Sequence, residues 1–233
     1  MKSNLKTVAA LLIFSAIATV TKAQLTSSYN QGSGSGTIVD DAGNVRRATE
    51  YSGLVGSPYF IVDWSKADVT FADGSVQKDK VVKYDELKDK LFTQIKDDKM
   101  GEFDTPVADF TITAADGTVA KFGKIPGNGK FGDDAFFEIL SDGKVKLIRK
   151  NAKSISEYKK DLGTAVTTRE VVDNIDYYLV VSGKLVRIKK DKKSVEAALG
   201  AKQTELDAYI KSNNLNLKND ADLAKLITQY NTL

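Results

Sequence analysis

The feature that most constrains this chain is a local pattern that recurs along its middle: a short β-branched or aromatic run, a turn containing glycine, and a second such run. Each copy predicts a β-hairpin, because two extended runs joined by a tight turn pair with each other. Asp-Gly is typical of a type I′ turn, in which both central residues take positive φ. The turns are centred on Asp73-Gly74, Asp116-Gly117, Asp142-Gly143 and Ser182-Gly183. Successive hairpins predict an antiparallel β-meander, arranged as an open sheet or a barrel.

The last two hairpins resemble each other beyond their turns. Residues 136–154 match residues 177–194 when one gap is allowed at the turn, with Phe136-Phe137 and Tyr177-Tyr178 in equivalent places. We interpret this as a tandem duplication. Alternating apolar residues predict that one face of each hairpin is buried, with its lysines and arginines on a solvated face. A cationic strip between Lys144 and Lys193, binding an anionic polymer, is the alternative.

The segment from Asp85 to Lys96 fits two structures. Its apolar residues repeat by fours, as on a helix, and also alternate by twos, as on a strand. We favour a turn followed by a strand, because Asp97-Asp98 and Met100-Gly101 look like the tip of a further hairpin.

The C-terminal segment changes from strand-like to helical patterning. Its apolar residues recur at spacings of three and four, which predicts two amphipathic helices. Asn219 is a favourable N-cap for the second helix, and Asp220 and Asp222 suit the positive end of its dipole. The apolar positions are Leu206, Tyr209, Ile210, Leu223, Leu226, Ile227 and Tyr230.

The first 23 residues predict an export signal. Lys2 and Lys6 give a positive start, Val8 to Val20 form an apolar run, and Thr21-Lys22-Ala23 is a small-x-small cleavage site. The mature chain would begin at Gln24. The apolar run is shorter than the roughly 20 residues that a transmembrane helix needs, and no other stretch approaches that length. The sequence therefore predicts an exported protein, periplasmic or extracellular, without a transmembrane span.

The remainder divides by composition. Residues 24–36 are rich in serine and glycine, which favours a flexible leader. We predict a mainly β (α+β) protein with a C-terminal two-helix hairpin. Its segments are a signal peptide at 1–23, a flexible leader at 24–53, an antiparallel β domain at 54–190, and a helical hairpin packed on that domain at 191–233.

Charge and composition exclude several classes of function. The chain has 34 basic and 31 acidic residues, and three of the lysines lie in the predicted signal, so the mature chain is balanced. A balanced charge argues against a nucleic-acid partner. The absence of histidine and cysteine removes disulfides, the usual zinc ligands and every Ser-His or Cys-His nucleophile. We predict no cofactor, no metal ligand and no catalytic residue.

Two motifs resemble chemical sites but lack the required context. Gly127 to Gly132 matches the G-x-G-x-x-G pattern of dinucleotide-binding loops, yet Pro126 precedes it and the residues that follow are strand-like. We interpret it as a loop between hairpins. The acidic pairs Asp40-Asp41, Asp97-Asp98 and Asp133-Asp134 lack the spacing of a calcium-binding loop.

Aromatic residues cluster where the β region begins. Tyr59, Phe60 and Trp64 lie in the segment GSPYFIVDW, and Trp64 is the only tryptophan. An exposed Trp and Tyr pair forms a platform on which sugars stack, whereas a lone tryptophan among apolar residues packs in the core. We favour the core.

The order of these features resembles a family. Residues 56–59 (Gly-Ser-Pro-Tyr), Trp64, the Tyr84-Asp85 step, the paired aromatic hairpins and the Lys-rich strand before the C-terminal helices are similar to uncharacterised secreted β-rich proteins of Bacteroidetes-type bacteria. The resemblance spans about Leu54 to Leu233. It implies export and this order of hairpins, and no activity is assigned to the group.

We expect a non-enzymatic binding or structural module, with a ligand or protein partner that the sequence does not identify. The alternative is a carboxylate-based hydrolase acting on an extracytoplasmic substrate such as a glycan. It requires two acids close together in a cleft, at least one with a raised pKa. A membrane-spanning barrel is disfavoured by the charges on the strands and the helical C-terminus, and a helix-led interaction protein is a further alternative.

Overall fold

Strands dominate the computed structural model, which describes residues 37–39, 45–47, 51–96, 99–127, 129–159 and 166–233. The strands within these ranges are β1 (Thr37–Val39), β2 (Val45–Arg47), β3 (Leu54–Val55), β4 (Ser65–Phe71), β5 (Val76–Asp85), β6 (Lys90–Lys96), β7 (Lys99–Gly101), β8 (Val107–Thr113), β9 (Val119–Lys124), β10 (Phe136–Ser141), β11 (Val145–Asn151), β12 (Ser154–Lys159), β13 (Thr167–Val172), β14 (Ile175–Val181) and β15 (Lys184–Ile188). The helices are α1 (Lys192–Leu199), α2 (Gln203–Ser212) and α3 (Asp220–Tyr230). The predicted mainly β fold with a C-terminal helix pair is confirmed.

The strands form an open main sheet and a small second sheet. The main sheet has the order β15-β14-β11-β10-β9-β8-β4-β5-β6-β7-β1-β2, and its neighbours are antiparallel except for β1 and β7. The second sheet, which we name the arm, has the order β12-β13-β3. Of the two arrangements predicted for the meander, the open sheet is the one observed.

The four predicted hairpin turns occur where expected, but only one has the expected backbone. Ser182 and Gly183 both take positive φ, 49° and 76°, as a type I′ turn requires. At the three Asp-Gly turns only the glycine does. Gly74 N donates to the carbonyl of Phe71, and the Asp73 carboxylate accepts from Ser75 N at 2.9 Å. The type I′ prediction is therefore wrong there, because the aspartate bonds forward to the backbone and leaves the left-handed position to glycine.

The duplicated hairpins lie side by side. Strand β11 pairs with β14 over seven residue pairs, from Val145↔Val181 to Asn151↔Ile175. Adjacent residues are buried in each of these strands, Leu147 with Ile148 in β11 and Tyr178 to Val180 in β14. Both faces of this part of the sheet are therefore covered.

Three apolar clusters account for this burial. The first lies on one face of the N-terminal half of the sheet, where Phe110 and Phe122 stack with their ring centroids 4.9 Å apart. The second joins Leu147, Leu179 and Ile188 of the sheet to all three helices. The third covers the opposite face of β11 and β14 with the segment between β9 and β10. Burying one large aliphatic side chain contributes about 1.5–3 kcal/mol, so the helices are held mainly by this packing.

The structure adds elements near both ends of the described chain. Strands β1 and β2 lie within residues 24–53, for which the sequence predicts a flexible leader, and β1 extends the sheet by pairing with β7. A third helix, α1, precedes the predicted pair. The Asp191 side chain caps it by accepting from Ser194 N, and its buried Val195 and Leu199 join the helical core. The predicted export signal lies outside the described residues.

None of the helices in the described part of the chain is long and apolar enough to cross a bilayer.

Candidate binding site

A groove of about 410 Å³ opens on one side of the main sheet. Four segments meet there: the turn between β5 and β6 with the start of β6, the segment between β7 and β8, the end of β9, and the segment leading into β10. Ligand sites in proteins typically enclose about 300–1,000 Å³. The groove is lined by Lys88, Asp89, Lys90, Leu91, Glu102, Phe103, Thr105, Pro106, Val107, Lys124, Phe131, Asp134, Ala135 and Phe136.

The apolar part of the groove belongs to the aromatic core. Phe136 is buried and packs edge to face against Phe110 at 5.0 Å and Tyr84 at 6.0 Å. Half-buried Phe103 packs in the same way against Phe71, at 5.4 Å. These contacts fix the rings before any ligand arrives. The floor is therefore rigid and apolar.

Two ion pairs form the rim, each with an exposed carboxylate. The ammonium of Lys90 lies 2.8 Å from a Glu102 carboxylate oxygen, with both side chains about half exposed. That of Lys124 lies 2.9 Å from an Asp134 carboxylate oxygen and 5.1 Å from the centroid of the Phe136 ring. The cation–π contact helps to orient Lys124. Polar groups of both signs thus stand above an aromatic floor.

Asp89 connects the groove to the interior. Its backbone has φ 58°, a left-handed conformation that aspartate tolerates better than most residues. One carboxylate oxygen accepts from Tyr84 Oη at 2.5 Å and from Phe136 N at 3.3 Å. The other accepts from the Lys150 ammonium at 2.6 Å. Burial, and then the charge of Asp89, raise the pKa of Tyr84 well above its ordinary value, so the phenol stays a donor.

Lys150 is a buried lysine with satisfied contacts. Only 5% of the residue is exposed, and its ammonium also donates to the carbonyl of Phe136 at 2.8 Å. The prediction that the lysines of this hairpin lie on a solvated face is wrong here. The turn between β5 and β6 covers Lys150 and supplies Asp89 as its partner. This burial also removes Lys150 from the alternative cationic strip.

A second buried pair lies beside the first. The Lys153 ammonium is 3.1 Å from a Glu86 carboxylate oxygen and donates to the carbonyls of Ser57 and Tyr59. Burial raises the pKa of Glu86, and the Lys153 charge opposes that effect. We name these two pairs, Asp89–Lys150 and Glu86–Lys153, the junction. It ties the turn after β5 to the C-terminal half of the sheet.

Asp85 is the most deeply buried carboxylate of this turn. It accepts from Tyr51 Oη at 2.5 Å and from the backbone N–H groups of Leu87 and Lys88. Burial is the largest effect on its carboxyl and raises the pKa. Its hydrogen bonds close the turn, so its role is structural.

A similar arrangement anchors the last helix. Asp220, in the first turn of α3, accepts from Tyr177 Oη, from the Lys190 ammonium and from an Arg149 guanidinium nitrogen, each at 2.9 Å. Arg149 also binds Glu138. Together with Lys150, these contacts place three of the cations predicted for a cationic strip in ion pairs.

Trp64 lies in neither a fully buried core nor an open platform. Its ring and that of Tyr59 are half-buried, and the Lys83 ammonium lies about 5 Å from both centroids, at 5.1 and 5.0 Å. Tyr59 Oη contacts Met100 Sδ at 3.8 Å. The expected burial of Trp64 is therefore only partial.

The motifs noted in the sequence contribute two residues to the groove, Phe131 of the glycine-rich segment and Asp134 of an acidic pair. Gly127 N donates to Asp133, which closes the loop before β10. Asp134 alone of the acidic pairs lines the groove, while Asp40-Asp41 and Asp97-Asp98 lie outside the described residues. Within the described ranges, no three carboxylates are grouped so as to hold a metal ion.

Sequence reasoning missed the groove residues because they come from four distant segments. Lys90, Glu102, Lys124 and Asp134 carry no shared motif. The local signal was weak: each lysine or acid stands next to an apolar residue at a strand end. Only the strand order brings them together.

No protein-family model matches the chain, and neither a curated protein nor a solved structure matches it. Its function therefore has to be inferred from its own residues.

Proposed function

We propose that this protein is an exported, non-enzymatic binding module and that the groove between β6, β9 and β10 is its ligand site. Export rests on the N-terminal sequence pattern, with its basic start, apolar run and cleavage site. The observation that carries the binding role is the combination of a rigid aromatic floor and two ion pairs with exposed carboxylates in one groove of about 410 Å³. Convergent polar groups above an apolar floor are the usual composition of ligand sites.

The described carboxylates with raised pKa do not favour the hydrolase alternative. Asp85 and Glu86 are both buried, and neither lines the groove. Asp85 binds Tyr51 and the backbone of its own turn, and Glu86 binds Lys153. Groups held in this way stabilise the turn, whereas a general acid must reach a substrate proton.

Thermal melting tests the binding role. The protein purified after export is melted with neutral and charged oligosaccharides, peptidoglycan fragments, phospholipids, short peptides and divalent ions. A ligand at 100 times its dissociation constant stabilises the folded state by about 2.7 kcal/mol, which raises the melting temperature measurably. If no compound in the panel raises the melting temperature, the binding role is contradicted and a structural role is favoured.

A groove-filling variant localises the site. Thr105 lines the groove, so Thr105→Trp should abolish the ligand-induced shift. Thr118, at the exposed tip of the β8–β9 hairpin, gives the matched control Thr118→Trp, which should keep it. A ligand that shifts both variants equally binds elsewhere. Turnover of a chromogenic glycoside or ester by the unaltered protein would contradict the non-enzymatic role.

Cell fractionation tests export independently. The protein should be recovered from the periplasm or the medium with Gln24 as its first residue. Recovery of the uncleaved chain from the cytoplasm would contradict export and leave the groove experiments unaffected.

A further inference from the structure

We infer that the ligand of the groove is a neutral saccharide. This inference rests on the proposed function and names the ligand class for the same site. Three observations support it: the charge balance of the rim, the short distance between the ammonium and the carboxylate within each rim pair, and the aromatic side chains beneath the pairs.

The two rim ion pairs carry no net charge. Lys90 and Lys124 are matched by Glu102 and Asp134, and the Asp89 carboxylate that also lines the groove is paired with buried Lys150. An anionic or cationic ligand gains no overall attraction from such a surface and meets one repelling group for every attracting one. The balance favours a neutral ligand.

The rim pairs present a donor and an acceptor side by side. In each pair the ammonium nitrogen and the carboxylate oxygen are 2.8–2.9 Å apart. A hydroxyl group both donates and accepts, so one hydroxyl bridges the two without separating them. A charged ligand group satisfies only one member and displaces the other. Neighbouring ring hydroxyls match this arrangement.

The groove also offers apolar contact for a sugar ring. Phe103 is half-buried and held edge to face by Phe71, and buried Phe136 forms part of the floor. The carbon faces of a pyranose ring are apolar, while its rim carries hydroxyls. A lipid would leave the ion pairs without polar partners, and desolvating them would weaken its binding.

The two rim carboxylates are suitable test positions because both side chains are exposed. Exposed pairs stabilise a protein by about 0–1 kcal/mol. The Asp134 side chain is 100% exposed and Glu102 is 53% exposed, while their partners Lys124 and Lys90 are 21% and 51% exposed. We expect the fold to tolerate the amide substitutions, because the amide oxygen still accepts a hydrogen bond from the lysine.

An array of defined neutral, anionic and cationic oligosaccharides provides the test. It is probed with the unaltered protein and with Glu102→Gln, Asp134→Asn and Glu157→Gln. Glu157 is a matched control, since it is 60% exposed and pairs with Arg169 at 3.2 Å on the arm, away from the groove. N,N′-diacetylchitobiose and its cationic deacetylated form, titrated by calorimetry, give a comparison of charge at nearly constant shape.

The expected result is binding confined to neutral saccharides. Glu102→Gln and Asp134→Asn should each weaken it roughly 10- to 100-fold, the loss expected for a charge-assisted hydrogen bond, with unchanged melting temperatures. Glu157→Gln should bind within about twofold of the unaltered protein. Preference for charged saccharides, or equal binding by the groove variants, would overturn the inference.

The same panel separates this inference from the proposed function. A peptide or lipid that stabilises the protein and loses its effect in Thr105→Trp, with no saccharide doing so, overturns the ligand class alone. If no compound gives a shift that depends on Thr105, the proposed function fails as well.

Discussion

The junction and the rim contain the same chemical pair, a lysine with a carboxylate, in two environments. The Lys150 side chain is 5% exposed, whereas the Lys90 and Glu102 side chains are each about half exposed, at 51% and 53%. In the junction the ammonium groups also bind backbone carbonyls, so every partner is protein. On the rim the pairs face the groove.

The difference shows how burial changes the consequence of losing one partner. A buried charge that loses its partner cannot regain water, so breaking such a pair destabilises strongly even when the intact pair contributes little. An exposed charge is rehydrated at once. We therefore assign the junction to architecture and the rim to recognition, and the following tests address that division.

The largest effect is expected at the junction. Lys150→Ala leaves Asp89 and the carbonyl of Phe136 without their shared donor. We expect the free energy of unfolding to fall by about 3–5 kcal/mol in urea denaturation. Lys184→Ala, on an exposed part of β15, is the control and should change it by about 0.5 kcal/mol or less. A loss below about 1 kcal/mol for Lys150→Ala would place the junction in the same category as the rim.

The next largest effect is expected at Asp220, whose contacts attach α3 to the sheet and resemble the buried ion pairs of the junction. Asp220→Asn removes the charge that binds Lys190 and Arg149 and should reduce the free energy of unfolding by about 1–3 kcal/mol. Asp222→Asn removes a charge from the same helical turn but from a more exposed position, and about 1 kcal/mol or less is expected. Equal losses would show that the helix dipole, and not the buried contacts, explains the effect.

The buried turn also predicts a pH dependence. Burial raises the pKa of Asp85 above its ordinary value of 3.8, so the folded protein binds this proton more tightly than the unfolded chain. The associated stability is present below that ordinary pKa and is lost as the pH rises through the raised value. As the pH rises from the ordinary pKa through the raised value, the Asp85→Asn variant should therefore lose less stability than the unaltered protein. Urea denaturation at a series of pH values measures the difference, and parallel pH profiles would contradict it.

The smallest effect on stability is expected on the rim. Lys90→Ala should change the free energy of unfolding by less than about 1 kcal/mol, because both members of its pair with Glu102 are exposed. Its ligand affinity should nevertheless fall. Calorimetric titration alongside denaturation separates the two effects, and a large loss of stability would contradict the division drawn here.

The fold was largely predictable because its signals are local. A glycine after a polar residue, between two β-branched runs, marks a turn whatever the rest of the chain does. The turn type was less accessible, since Asp73 bonds to Ser75 instead of adopting positive φ. Helix α1 was missed because it is short and has only Val195 and Leu199 buried, although Asp191 was an available capping signal.

The groove could not be predicted because it depends on contacts between distant segments. Each rim acid lies 10–12 residues from its lysine, so each pair is local, but Glu102 and Asp134 are separated by two complete strands and only the sheet order brings the two pairs to one groove. Lys150 illustrates the same limit: alternation assigns its face, but a turn more than 60 residues away supplies Asp89 and excludes water.

Asp89 gives the groove a mechanical property. Its carboxylate is held at once by Tyr84 of β5, the backbone of Phe136 in β10 and Lys150 of β11. A ligand that contacts Asp89 therefore meets a side chain whose position is already fixed by hydrogen bonds to three strands. We therefore expect association without a slow rearrangement step, at a rate governed by encounter and orientation.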